Sequence, residues 1–202
     1  MTLDKFRPVA NRLLEPFVSG AMRLGLSPDA VSVIALVFAG VAAVTFYLAG
    51  TAPEWYLVGA LLVLANGWMD LLDGALAREL ETASPSGDLL DHVIDRYADI
   101  LLIVGLAAGI DAYGLGLAAV TGVLMTSYLG TQAQAVGLDR VYGGVLGRAD
   151  RLALIGFVGA IAAVVQGTFF GLTMIGWLLV LFAVVGHLTA LQRFYYARLA
   201  LE

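Results

Sequence analysis

A chain of 202 residues that is 60% hydrophobic and only 13% charged, with a mean hydropathy of +0.90, is too apolar for a soluble domain; it predicts one all-α integral membrane domain over 1–202. The net charge of −5 and a pI near 4.9 argue against a nucleic-acid partner, and the absence of cysteine excludes disulfide and thiol chemistry. Its long apolar runs lack the two-residue alternation of a membrane β-barrel.

In chain order, residues 1–25 interleave charges with Leu3, Phe6, Leu13, Leu14, Phe17 and Met22, interrupted by Pro8 and Pro16. This pattern predicts an amphipathic interfacial helix with a polar, basic start and no signal-peptide h-region. The segment 26–32, Leu-Ser-Pro-Asp-Ala-Val-Ser, opens the first span, with Ser27 or Asp29 available as its cap. A bilayer core needs about 20 apolar residues per helix. Six runs qualify, roughly 30–50, 55–77, 88–109, 112–136, 151–167 and 170–195, so 26–202 is expected to form a six-helix bundle. Lys5, Arg7, Arg12, Arg23, Arg78, Arg140, Arg148, Arg151, Arg193 and Arg198 all fall at one set of bridges and ends. By the positive-inside rule, both termini face the cytoplasm.

The second and third runs meet at a polar bridge, 79–86, and carry Asp70, Asp73, Asp91 and Asp95 at helical spacing on its two sides. Each pair projects from one face of its own helix. Four carboxylates at membrane depth require partners, and oxygen-only ligands select hard divalent cations such as Mg²⁺ or Mn²⁺. Two such ions suit phosphoryl or phosphodiester chemistry, at a site opening to the cytoplasmic side. Asn66 lies one turn before Asp70. Gly74 and Ala77 leave the helix surface bare, either for substrate or for close packing, and Arg78 offers a fork for phosphate as well as an interfacial anchor. Asp88 reads as a solvated residue of the first turn, favoured by the helix dipole. His92 reads as a packing or interfacial residue, Arg96 as the partner of a buried carboxylate, and Asp99 as the partner of Arg96 or of another helix.

The fourth run ends in a patch of hydroxyls and amides, Ser127-Tyr128-Leu129-Gly130-Thr131-Gln132-Ala133-Gln134. The glycine-rich stretch that follows, 140–151, holds Arg140, Tyr142, Gly143, Gly144, Gly147, Arg148, Asp150 and Arg151 and suits either anion binding or a basic connector. His187 reads as a polar packing contact, and Phe194, Tyr195 and Tyr196 as an interfacial belt.

The segment from Asp70 to Asp95 satisfies every fixed residue and gap of D-x-x-D-G-x-x-A-R-x8-G-x-x-x-D-x-x-x-D. On these residues the chain is identified as a member of the CDP-alcohol phosphotransferase family. The resemblance implies transfer of a phosphatidyl or archaetidyl group from CDP-diacylglycerol or CDP-archaeol to a polar alcohol, with release of CMP. It further implies two metal ions held by Asp70, Asp73, Asp91 and Asp95, with Asp95 also the candidate general base. Gly74, Ala77, Arg78 and Gly87 are implied to contact the CDP portion, with Pro28, Asp29 and Ser32 near its cytidine end. A homodimer is implied as well. The sequences Asp91-His-Val-Ile-Asp95-Arg96 and Arg148-Ala-Asp150-Arg151 resemble the branch that makes phosphatidylinositol phosphate or archaetidylinositol phosphate. For that branch Arg148, Arg151 and Arg193 would serve an inositol phosphate acceptor. Gly130, Thr131 and Gln132 stand where members with phosphorylated acceptors often place a Lys or Arg, which keeps glycerol 3-phosphate and serine in view. A membrane prenyltransferase would space its aspartate pair by four and use more helices. A cation transporter would explain the carboxylates but not the Gly-Ala-Arg spacing, and a catalytically dead member would not keep the whole signature.

Overall fold

The computed structural model describes residues 7–139 and 144–202. Lys5, Arg140, Tyr142 and Gly143 lie outside the described residues. Among those described, seven helices account for the architecture: α1 Arg7–Arg23, α2 Pro28–Leu48, α3 Trp55–Glu79, α4 Pro85–Gly109, α5 Tyr113–Ala135, α6 Arg148–Ala162 and α7 Met174–Leu201. The sole β feature described is an isolated bridge between Phe169 and Leu172.

Helix starts follow local chemistry. Ser27 and Ser84 each precede a proline at the first helical position, and each side-chain oxygen accepts from a backbone N–H three residues on, Ala30 and Gly87 respectively. Proline at that position loses no helical hydrogen bond, so the Ser-Pro pair fixes where α2 and α4 begin. Thr173 caps α7 in the same manner, accepting from the Gly176 N–H.

Among the described residues, four helices are long and apolar enough to cross a membrane: α2, α3, α5 and α7. The expectation of six spans is met at these four. Helix α4 has the length, 25 residues, but Asp88, Asp91, Asp95, Arg96 and Asp99 load it with charge from its first turn to past its midpoint. Helix α6 ends at Ala162 after 15 residues, about 22 Å at 1.5 Å per residue, short of a core of about 30 Å. The chain between α6 and α7 turns through Gly167, Phe170 and Gly171, all at positive φ. Helix α1 is continuous through Pro16 rather than broken by it.

Small residues set the helix spacing. A Cβ on Gly105 of α4 would lie 2.5 Å from the Ala43 carbonyl oxygen of α2, so only glycine permits that approach. Gly122 of α5 and Gly186 of α7 are in similar backbone contact, and the Thr126 hydroxyl donates to the Gly186 carbonyl at 2.8 Å. Around these crossings Phe46, Val63, Leu102, Leu106, Leu179 and Phe182 form one buried core. A second, smaller cluster seats α1: Leu14, Val18 and Ala21 pack on Val31, Leu72 and Leu76, and Phe17 meets Trp68 edge-on at 5.3 Å. Helix α1 therefore braces the half of α3 that carries Asp70 and Asp73.

Candidate active site: a carboxylate cluster beside a nucleotide-sized cavity

The start of α2, the end of α3 and the start of α4 converge at one end of the bundle. Helix α3 presents Asp70, Asp73, Gly74, Ala77 and Arg78 within two and a half turns, and α4 presents Gly87, Asp91 and Asp95 one turn apart each. Pro28, Asp29, Ser32, Gly74, Ala77, Arg78 and Gly87 all line a single cavity of about 460 Å³, together with Asp73 and Asp91. Thr82, Ala83 and Ser84 of the polar bridge and Asp88 of α4 complete its wall. The bridge residues were not anticipated, and Asp88, although largely exposed, borders the cavity instead of simply facing solvent. The repeated Ser-Pro helix start was the signal that could have placed the bridge there.

Asp91, in the wall of this cavity, also belongs to a carboxylate trio: Asp70, Asp91 and Asp95 each bring a carboxylate oxygen to within 4.8 Å of the other two. Three hard anionic oxygens at that separation suit one divalent cation or a pair, and the Asp95 Oδ1 atom is buried without a hydrogen bond. The donor set thus fits the cations expected from the sequence. Asp73, the fourth expected ligand, stands apart from this trio: it is buried, and Ser32 Oγ donates to its Oδ2 at 2.6 Å. Asn66 is fully buried and donates its amide to the Ala35 carbonyl at 2.7 Å, tying α3 to α2 just below the carboxylates.

The three candidate acceptor arginines divide. Arg148, at the first position of α6, reaches into the cluster: its Nη1 contacts Asp70 Oδ1 and lies 2.9 Å from Asp95 Oδ1. Arg151, one turn on, is buried and donates from Nη2 to Asp99 Oδ2 at 2.6 Å. Arg193 on α7 donates to the Thr126 carbonyl at 2.7 Å. Asp99 therefore takes its partner from α6 rather than Arg96, which instead contacts Ser127 and sits 3.4 Å from Asp95 Oδ2. His92 Nδ1 lies 2.8 Å from the Asp88 carbonyl and 3.5 Å from its carboxylate, outside the trio. Asp150 accepts from the Gly147 N–H at 2.9 Å and caps α6, which sets Arg148 at the helix start.

An apolar helical bundle in which three half-buried carboxylates converge beside a Gly-, Ala- and Arg-lined cavity has the features of an integral membrane enzyme with a cation-dependent phosphoryl-transfer site. Residues 26–191 match the model of the family described as CDP-alcohol phosphatidyltransferase, and the chain belongs to that family. It is 32% identical over 200 residues to the archaetidylinositol phosphate synthase of Methanothermobacter thermautotrophicus, covering 96% of this chain and 93% of that protein. It is 33% identical over 151 residues to the phosphatidylinositol phosphate synthase of Mycolicibacterium smegmatis, covering 71% of this chain and 66% of that protein. Among solved structures it resembles the Mycobacterium tuberculosis phosphatidylinositol phosphate synthase PgsA1 with CDP-DAG bound, at a TM-score of 0.78 and 27% identity over 92% of this chain and 94% of that one. The same enzyme in complex with manganese and citrate superposes equally well, at a TM-score of 0.78 and 26% identity, over 91% and 88% of the two chains.

Proposed function

We propose that this enzyme transfers a phosphatidyl or archaetidyl group from a CDP-lipid to inositol phosphate, releasing CMP. One observation carries the reading: every residue assigned to the donor lines one cavity, and Asp91 belongs both to that cavity and to the carboxylate trio. A volume of about 460 Å³ accommodates a cytidine diphosphate head while leaving the lipid tails outside it, among the helices. The related enzyme with CDP-DAG bound, and relatives named archaetidylinositol phosphate synthases, support both the ester and the ether donor.

In this reading the acceptor hydroxyl attacks the lipid-side phosphorus of the diphosphate. A new P–O bond forms, the bond from that phosphorus to the bridging oxygen breaks, and CMP departs with the electron pair. Asp95 takes the hydroxyl proton. Asp70, Asp91 and Asp95, with Asp73 adjoining, would hold two Mg²⁺ or Mn²⁺ ions, which would supply charge neutralisation at the diphosphate and at the leaving phosphate. Arg78 lines the donor cavity and pairs with phosphate oxygens. Arg148 and Arg193, on the α5–α6–α7 side of the trio, serve the anionic acceptor, whereas Arg151 is committed to Asp99.

In this reading α4, and α6 although shorter than a bilayer core, complete six membrane helices with the four apolar spans, and the positive-inside pattern of the basic residues supports a cytoplasmic orientation for both termini and the cavity mouth, with α1 along that surface. The protein works as a homodimer. The test is CMP release by purified protein in detergent with Mg²⁺ or Mn²⁺ and CDP-lipid, across inositol phosphate, glycerol 3-phosphate, inositol, glycerol and serine. Release with inositol phosphate supports the proposal, and release confined to glycerol 3-phosphate or serine reassigns the acceptor. No binding of CDP-lipid, with cation flux through proteoliposomes instead, would replace the enzyme reading by a transporter.

A further inference from the structure

The trio poses an electrostatic problem that its own helices do not solve. Asp70, Asp91 and Asp95 are like charges within 4.8 Å of one another, each only half-exposed to solvent. Such a cluster repels itself strongly unless a cation sits among its oxygens. The chain supplies one from a distant helix: Arg148 Nη1 contacts Asp70 Oδ1 and lies 2.9 Å from Asp95 Oδ1, two of the three members of the trio.

The manner of this contact distinguishes it from the arginine one turn away. Arg151 donates a well-formed hydrogen bond to Asp99 Oδ2 at 2.6 Å, and both side chains are buried. Arg148 Nη1 and Nε, by contrast, make no aligned hydrogen bond, and neither does Asp95 Oδ1, although all three atoms are buried. Arg148 Nη1 is held in the cluster by its charge contacts with Asp70 and Asp95 rather than by an aligned hydrogen bond. A divalent cation bound to Asp70 and Asp95 would use the same oxygens and repel the guanidinium, while providing more positive charge than the arginine it displaces.

We propose that Arg148 is a built-in counter-ion of the carboxylate cluster, seated between Asp70 and Asp95 without metal and expelled from them by a divalent cation. The inference rests on the cation-dependent reading proposed above and adds to it a coupling between metal loading and the position of one side chain. By linkage, the free energy that ejecting Arg148 costs is subtracted from the cation's intrinsic affinity, so the apparent affinity is lower. The arrangement keeps the ligands converged in the empty site and frees a guanidinium once the site is loaded.

Mn²⁺ binding to the purified protein in detergent, followed by the loss of the free-ion electron paramagnetic resonance signal, tests this without reference to turnover. Arg148→Gln and Arg148→Met, which remove the charge and keep bulk, are expected to bind Mn²⁺ about tenfold more tightly than the unmodified protein. Arg148→Lys, which keeps the charge, is expected to stay near the unmodified affinity. Metal should also raise the melting temperature more in the Gln and Met variants than in the parent. Unchanged or weaker Mn²⁺ affinity in either folded variant would overturn the proposal, as would Arg148→Lys binding as tightly as Arg148→Gln. Asp91→Asn separates this failure from failure of the underlying reading: its loss of Mn²⁺ binding upholds the metal site whatever Arg148 does, and retained binding overturns the metal site itself.

Discussion

Arg151 on α6 and Asp99 on α4 form a buried ion pair, 2.6 Å between Nη2 and Oδ2. The Arg148 contact with Asp95 lies one turn away along both helices, so α4 and α6 are joined by two arginine–aspartate rungs of different character. The deeper rung is a committed hydrogen bond that fixes α6, and through it the level at which Arg148 enters the carboxylate cluster. Arg151 thereby passes from the acceptor candidates to the residues that position the site.

Breaking the deeper rung is expected to be costly, because one charge is left buried without its partner. Arg151→Ala should destabilise the protein by about 3–5 kcal/mol. Asp99→Leu combined with Arg151→Leu should recover part of that loss. Thermal unfolding in detergent reads both. An Arg151→Ala protein of unchanged stability and a raised acceptor KM alone would restore the acceptor role.

Asp70→Asn and Asp95→Asn retain the shape and hydrogen-bonding capacity of the side chains while removing a charge from the trio. Both variants should insert and fold, yet lose CMP release by about a thousandfold or more. Chelation with EDTA should abolish release in the parent, and Mn²⁺ or Mg²⁺ should restore it. Near-normal turnover in either variant would break the metal assignment.

Ala77 sits in the wall of the donor cavity, and its small side chain leaves that wall open. Ala77→Leu is expected to raise the KM for CDP-lipid about tenfold and to leave the acceptor KM unaltered, since the added methyl groups occupy donor volume. An acceptor-specific effect would place the donor elsewhere.

Ser32 holds Asp73 at the cavity wall through a 2.6 Å hydrogen bond across 41 residues of chain. Ser32→Ala leaves a buried carboxylate oxygen short of a donor, a loss of about 1–3 kcal/mol. Lower thermal stability and a raised donor KM should appear together, and a variant with both values unchanged would mean that the bond does not hold Asp73 in place.

Much of the site was legible because it is written locally. Gly74, Ala77 and Arg78 follow Asp73 at helical offsets on one element, and Gly87, Asp91 and Asp95 repeat every four residues on the next, so both faces can be read without knowing how the helices meet. The same reasoning failed where length and charge compete. Run 151–167 reads as a span by composition, but α6 stops at Ala162, five residues before the expected end. Pro16 reads as a break, but α1 continues through it and packs through Leu14, Val18 and Ala21 on α3.

What the sequence determined by itself is therefore the apolar helical character, the helix start at Ser27-Pro28 and the inventory of carboxylates on their two faces, since each depends on neighbours within about two turns, whereas α4 starts at Pro85, inside the expected bridge 79–86. The tertiary structure alone decided how the charges pair: Asp73 with Ser32, Arg151 with Asp99, Arg148 with Asp70 and Asp95, and Arg96 with Ser127. Those partners lie on different helices, and which oxygen meets which guanidinium depends on the rotation and depth at which the helices pack. Glycine contacts such as Gly105 against Ala43 set these, and no single stretch of sequence contains them.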